Sequence, residues 1–160
     1  MELSRTPLLS PDDLINLTMV NEQEVAFRAA WILEQVAIDH LENFKLFLAE
    51  FIETYLAQRN PSCQRHFTKI MMYLTDENNR ESVFSDIDPD PIIEVTFEWL
   101  INPETPVAVQ CNCMDILYNF KDQADWLQLE LSEQVGFLLK NGSAALQSRG
   151  KRVLKKLSSK

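Results

Sequence analysis

Two histidines, three cysteines and a run of acids are the residues of this chain best equipped for chemistry, and their spacing withholds most of it. His40 and His66 stand 26 residues apart without a Glu-x-x-His or His-x-x-x-His partner, so they carry no metal signature. A cap or surface position is expected of both. Cys111 and Cys113 resemble a ligand pair on paper, yet two residues apart on a helix they point about 200° away from one another. Cys63 and Cys113 are expected inside, as small buried hydrophobes. Asp86-Ile87-Asp88-Pro89-Asp90 has the alternating acids of a calcium loop, but Pro91 and Phe97 occupy the positions where an EF-hand needs its glycine and its last glutamate. Glu94 and Glu98, four apart on one helical face, have acid/base spacing, and an exposed acidic face is the ordinary expectation for them. Phosphate-cradling loops and nucleophile elbows are excluded, because no G-x-x-x-x-G-K, G-x-G-x-x-G or G-x-S-x-G occurs. The expectation is a binding protein without catalytic constellation, cofactor or metal.

The elements that must position any site follow from an apolar quartet with spacing i, i+4, i+7, i+11. It occurs as Ala26, Ala30, Leu33, Ala37; Cys63, Phe67, Ile70, Leu74; Val109, Cys113, Ile116, Phe120; and Leu146, Gly150, Val153, Leu157. At about 100° per residue each quartet returns to one side of a helix. The steps between quartets are 37, 46 and 37 residues, a period typical of stacked helical repeats. A second apolar helix precedes each of these inner helices. Ser10-Pro11-Asp12-Asp13 opens the first, Asp39 the second, with its wide face from Leu41 to Leu56, Asp90-Pro91 the third, and Asp122 or Gln123 the fourth. Turns at 59–62, 102–106 and 141–143 part outer from inner helices. The expected organisation is one domain, 1–160, with repeats at about 11–37, 40–74, 90–120 and 123–158. An acidic insertion at 75–89 explains the longer middle step and is expected as a loop.

Positions two, five and nine residues beyond the first member of a quartet lie at about 200°, 140° and 180° from it. They select Arg28, Trp31 and Gln35; Arg65, Thr68 and Met72; Cys111, Met114 and Tyr118; Ser148, Lys151 and Lys155. With Lys69, which flanks the second quartet, Arg28, Trp31, Gln35, Arg65, Met72, Met114, Tyr118, Lys151 and Lys155 form the candidate partner-binding strip. Arginine, tryptophan, methionine and tyrosine are what protein interfaces favour, although large apolar members could instead pack as core.

Charge bounds the partner. The 160 residues carry a formal charge of −9, and no acid follows Glu133, while Arg149, Lys151, Arg152, Lys155, Lys156 and Lys160 crowd the end. Residues 1–148 thus hold nine basic against 24 acidic side chains and should repel a phosphate backbone. Nucleic acid could be gripped only locally, by the basic last helix together with Trp31 and Arg28, and a solvated cap is the first expected role of that helix. An odd cysteine count, 46% apolar residues and no apolar leader point to a reduced, cytoplasmic protein. No apolar stretch approaches the ~18 residues of a membrane span.

The second helices "VAFRAAWILEQVA", "CQRHFTKIMMYL", "PVAVQCNCMDILYNF" and "QSRGKRVLKKL" resemble HEAT-like repeats of the armadillo-type α/α superhelix over about residues 11–158. The Asn-Pro-x-x-Pro-Val-Ala-Val turn at 102–109 and the Val-Ala-x-Arg start at 25–28 carry the likeness best. Cys111 and Ser148 depart from it where Arg28 and Arg65 stand in the first two repeats, so a continuous arginine ladder is absent. The resemblance implies an all-α, right-handed superhelix of about four antiparallel helix pairs whose concave face holds a protein or peptide. A distant similarity to DNA alkylation repeat proteins implies the alternative, a DNA-handling protein that grips a lesion or strand, with glycosylase activity as its extreme form.

Overall fold

The computed structural model describes residues 10–159, which fold as helices joined by turns, with no strand among the described residues. The helices are α1 (Pro11–Leu17), α2 (Gln23–Asp39), α3 (Leu41–Phe44), α4 (Leu48–Ala57), α5 (Pro61–Thr75), α6 (Arg80–Val83), α7 (Asp90–Ile101), α8 (Val107–Asn119), α9 (Leu127–Leu139) and α10 (Ala144–Ser158). The chain is therefore all-α, and its helices pair as hairpins: α1 with α2, α3 and α4 with α5, α7 with α8, and α9 with α10. Two compact units part after Tyr73, at the edge of the acidic insertion. Each holds two hairpins.

The quartets are the buried faces. All sixteen residues are buried except Leu157, which is half-buried. Around them the first unit packs Phe44, Phe51, Tyr55 and Phe67, with the Phe51 and Phe67 rings 5.0 Å apart joining α4 to α5. The second unit packs Ile92, Ile93 and Leu100 of α7 and Leu127, Leu131 and Val135 of α9 beside α8. Gly150 permits the close approach of α10 to α9. A Cβ there would meet Leu139 Cδ2 at 2.7 Å and Val135 Cγ1 at 3.2 Å.

A repeated glutamine fixes the hairpin turns. The residue after the first quartet member is Gln64, Gln110 and Gln147 in three repeats. Each side-chain amide donates to a carbonyl at the end of the preceding helix: Gln64 Nε2 to Gln58 O at 3.1 Å, Gln110 Nε2 to Leu100 O at 3.0 Å, and Gln147 Nε2 to Leu139 O. Carbonyls at a helix end lack intrahelical donors, and a buried amide supplies one. Phe27 holds this position in the first repeat. The shared register of the three glutamines was the available signal for this device.

The start signals of the outer helices succeed where Ser10 and Asp90 lie, and fail at Asp39 and at Asp122 or Gln123. The Ser10 amide donates to Asp13 Oδ2 at 3.0 Å, and α7 begins at Asp90. The second start is displaced, since α2 runs through Asp39 and His40 occupies the cap position of α3. The expected single helix with a wide face from Leu41 to Leu56 is broken by a 3₁₀ turn at Lys45–Phe47. The break puts Phe44, Leu48, Phe51 and Tyr55 inside and leaves Leu46 out. The fourth outer helix starts at Leu127, because residues 120–126 turn first, and Trp126 precedes it.

Residues 76–89 are anchored turns around the short helix α6 rather than a bare loop. Arg80 Nη1 donates to Asn119 O at 2.7 Å and Thr75 O at 3.3 Å, and the Phe84 ring meets Phe120 edge-on at 5.4 Å. Both anchors lie within the second unit.

Candidate functional site

In the first unit the strip opposite the quartets stands open. Arg28, Trp31 and Gln35 of α2 and Arg65 and Lys69 of α5 are exposed, Met72 is half-buried, and Thr68 is buried, its hydroxyl donating to Gln64 O at 2.8 Å. Trp31 is 50% exposed, and Phe27 and Ile38 of the same helix are 41% and 40% exposed. One helix thus closes a complete alanine-rich core with one side and shows three large apolar residues on others. Arg28 pairs with Glu24 across one helical turn at 2.7 Å, in solvent, where such a pair contributes little. Its guanidinium remains accessible.

Beside this strip runs a seam that the spacing did not reveal. His66, expected at the surface, is buried. Its Nδ1 lies 2.6 Å from Glu34 Oε1, and the Phe27 ring stands 5.2 Å away. The two groups are joined by one hydrogen bond across the helices. Nε2 is enclosed without a hydrogen-bond partner. One helical interval along, Tyr73 Oη donates to Ile38 O at 3.4 Å. His40, in contrast, is exposed as expected.

The second unit has a seam of the same register between α8 and α10. Arg149 Nη1 meets Asp115 Oδ2 at 2.5 Å and the Cys111 carbonyl at 3.3 Å, while Arg152 approaches the same carboxylate at 3.9 Å. Cys111 Sγ lies 3.7 Å from Ala145 O, and the Lys156 ammonium sits 4.5 Å above the Tyr118 ring, with Lys121 4.8 Å from its centroid. Arg149 follows Leu146 by three residues, as His66 follows Cys63. In each unit, then, the third residue after the first quartet member brings a nitrogen to a carboxylate of the other inner helix.

That seam corrects the strip. Met114 is fully buried and Cys111 buried, because α7, α9 and α10 all lean on α8 and leave it almost no outward side. Met114 therefore belongs to the core. Tyr118 is half-buried beneath two lysines; Lys151 and Lys155 of α10 are exposed. Arg149 and Arg152 are turned onto Asp115, so the basic end is partly engaged within the unit. Lys160 lies outside the described residues.

The thiols are poor nucleophiles. Burial pushes Cys63 up to about 11 and Cys113 higher still; it also raises Cys111, against a lowering by Arg149. Cys111 and Cys113 point apart, toward Ala145 and into the quartet. Among the described residues no three His, Cys, Asp or Glu side chains converge as a metal would require, and no helix is long and apolar enough to cross a membrane. Asp88 Oδ1 accepts from the Asp90 amide at 3.0 Å, so this acid shapes the start of α7.

A model of the HEAT repeat domain matches residues 8–157. No curated protein and no solved structure is matched.

Proposed function

The chain belongs to the HEAT repeat family, and on that premise we propose that it is a non-enzymatic scaffold engaging a protein or peptide partner through the side opposite its buried quartets. Arg28, Trp31, Gln35, Arg65 and Lys69 are the recognition residues of the first unit, with Met72 at their margin. Tyr118, Lys151 and Lys155 serve in the second. The exposure of Trp31 carries this reading. A half-exposed indole, flanked by arginine and glutamine, offers a large rigid surface with little side-chain entropy to lose on binding. The intramolecular core is already closed beneath it, so folding gives no reason for a tryptophan there. A compartment with reduced thiols, such as the cytoplasm, suits the three free cysteines.

The test replaces Arg28, Trp31 and Arg65 together by alanine. Circular dichroism is expected to stay unchanged while partners recovered from a native lysate are lost. Undiminished recovery would overturn the proposal.

Exposed Lys151 and Lys155 favour a second reading, a DNA-handling protein of the alkylation repeat type. It requires binding that falls steeply with salt. The protein-binding reading is better supported, because Asp115 already holds two of the arginines nearby and the rest of the chain is strongly acidic. Absence of a gel-shift complex at low ionic strength would remove the DNA reading.

A further inference from the structure

Within the second unit, α7 and α9 border an open groove of about 560 Å³ that the recognition strip does not include. Its floor is apolar: Phe97, Ile101 and Trp126, with the Phe97 and Trp126 rings 6.0 Å apart and inclined by 36°. Ile101 is 52% and Trp126 54% exposed, so both offer apolar surface to solvent. Its rim is acidic. Glu94, Glu98 and Glu130 line it, and neither α7 nor α9 contains a lysine, arginine or histidine. Among the described residues none of these three glutamates forms a salt bridge. Glu130 Oε2 accepts from Gln134 Nε2 at 2.9 Å, which holds one carboxylate at the edge.

Aromatic faces attract a cation, and carboxylates around them supply its counter-charge. A long basic side chain meets both demands, its methylene stem covering ring and isoleucine while its head reaches the rim. We propose that this groove docks a basic segment of another protein by an arginine or lysine side chain laid across Trp126, Phe97 and Ile101, with the charged head among Glu94, Glu98 and Glu130. Charge complementarity selects this occupant. An acidic or nucleic-acid ligand would face three carboxylates without one compensating cation, and a purely apolar helix would strand them.

The test is fluorescence anisotropy with a short fluorescein-labelled Arg-Leu-Lys-Gly repeat peptide, against the same peptide with citrulline and norleucine in place of arginine and lysine. Wild-type protein is expected to bind the charged peptide and not the neutral one. Trp126→Ala, and separately Glu94→Gln with Glu98→Gln, should each weaken binding by roughly tenfold, the scale of one desolvated cation–π or charge-assisted contact. These side chains are exposed, and circular dichroism should show unaltered helicity. Glu42→Gln with Glu53→Gln, which removes two exposed acids of the first unit, should leave the affinity unchanged. Equal binding by the groove variants, equal binding of the neutral peptide, or no binding by wild type would each overturn the proposal. So would sedimentation showing self-association abolished both by Trp126→Ala and by Lys151→Glu with Lys155→Glu, since the occupant would then be a second copy.

Discussion

His66 Nδ1 lies 2.6 Å from Glu34 Oε1 although the residues are 32 positions apart, and the bond ties α5 to α2 beneath the Phe27 ring. A buried hydrogen bond to a charged acceptor contributes more than a neutral one, and removing either partner leaves the other desolvated.

Glu34→Ala and His66→Ala should each lower stability by about 2–3 kcal/mol in urea titrations. Glu34→Leu with His66→Leu should cost less than the two single leucine changes added together, because no orphan remains. Strict additivity would mean that the pair is not coupled.

The counterpart at α8 and α10 is more accessible, and its effect should be smaller. Asp115→Ala is expected to cost about 1–2 kcal/mol and Arg149→Ala a similar amount. Arg152→Ala should be close to neutral, since that guanidinium is mostly exposed and 3.9 Å away. Thermal melts of the three variants rank these contributions. Freed of Asp115, the basic face should also hold nucleic acid more tightly at low salt.

Gln110→Ala removes the donor to Leu100 O inside the α7–α8 turn and should destabilise by about 1–2 kcal/mol. Gln110→Glu should be worse, because a carboxylate would face the carbonyl. Gln35→Ala, on an exposed site, is the neutral comparison in the same denaturation series.

Leu33→Asp or Ile70→Asp should unfold at least the first unit, as an unpaired carboxylate would enter a closed apolar face. Gln35→Asp should leave the melting temperature nearly unchanged. Equal melts for Leu33→Asp and Gln35→Asp would contradict the assignment of faces.

The cysteines give a pH dependence. Cys63 titrates near 11 in the fold against an ordinary value of 9.0, and Cys113 and Cys111 are also raised. Between about pH 9 and 11 the unfolded chain therefore binds fewer protons than the native one. The Cys63 contribution is complete below about 9 and is lost as pH climbs through 11, whereas that of Cys113 persists to higher pH. Urea midpoints should fall across that interval, and the fall should be smaller in Cys63→Ala with Cys113→Ala. Thiol reagents at pH 8 should label the native protein slowly and all three cysteines quickly in denaturant.

What the sequence by itself determined is the set of faces. A spacing of four, three and four is a local property of the α-helix, and fifteen of its sixteen quartet residues are buried. The turns and their proline and glycine breaks are equally local. The opposite face was only half legible, because lying away from one core says nothing about a neighbour on the other side. Trp31 and Arg28 are open since α2 keeps a free side, whereas Met114, at the same register as Trp31, is enclosed by the helices around α8. The break at Lys45–Phe47 likewise depends on seating Phe44 and Phe51 together, their rings 5.3 Å apart. His66 and Glu34, or Trp126 and Phe97, share no sequence interval that signals contact. Tertiary packing alone decided those pairs, because proximity across helices is set by how whole helices lean on one another and not by periodicity along either one.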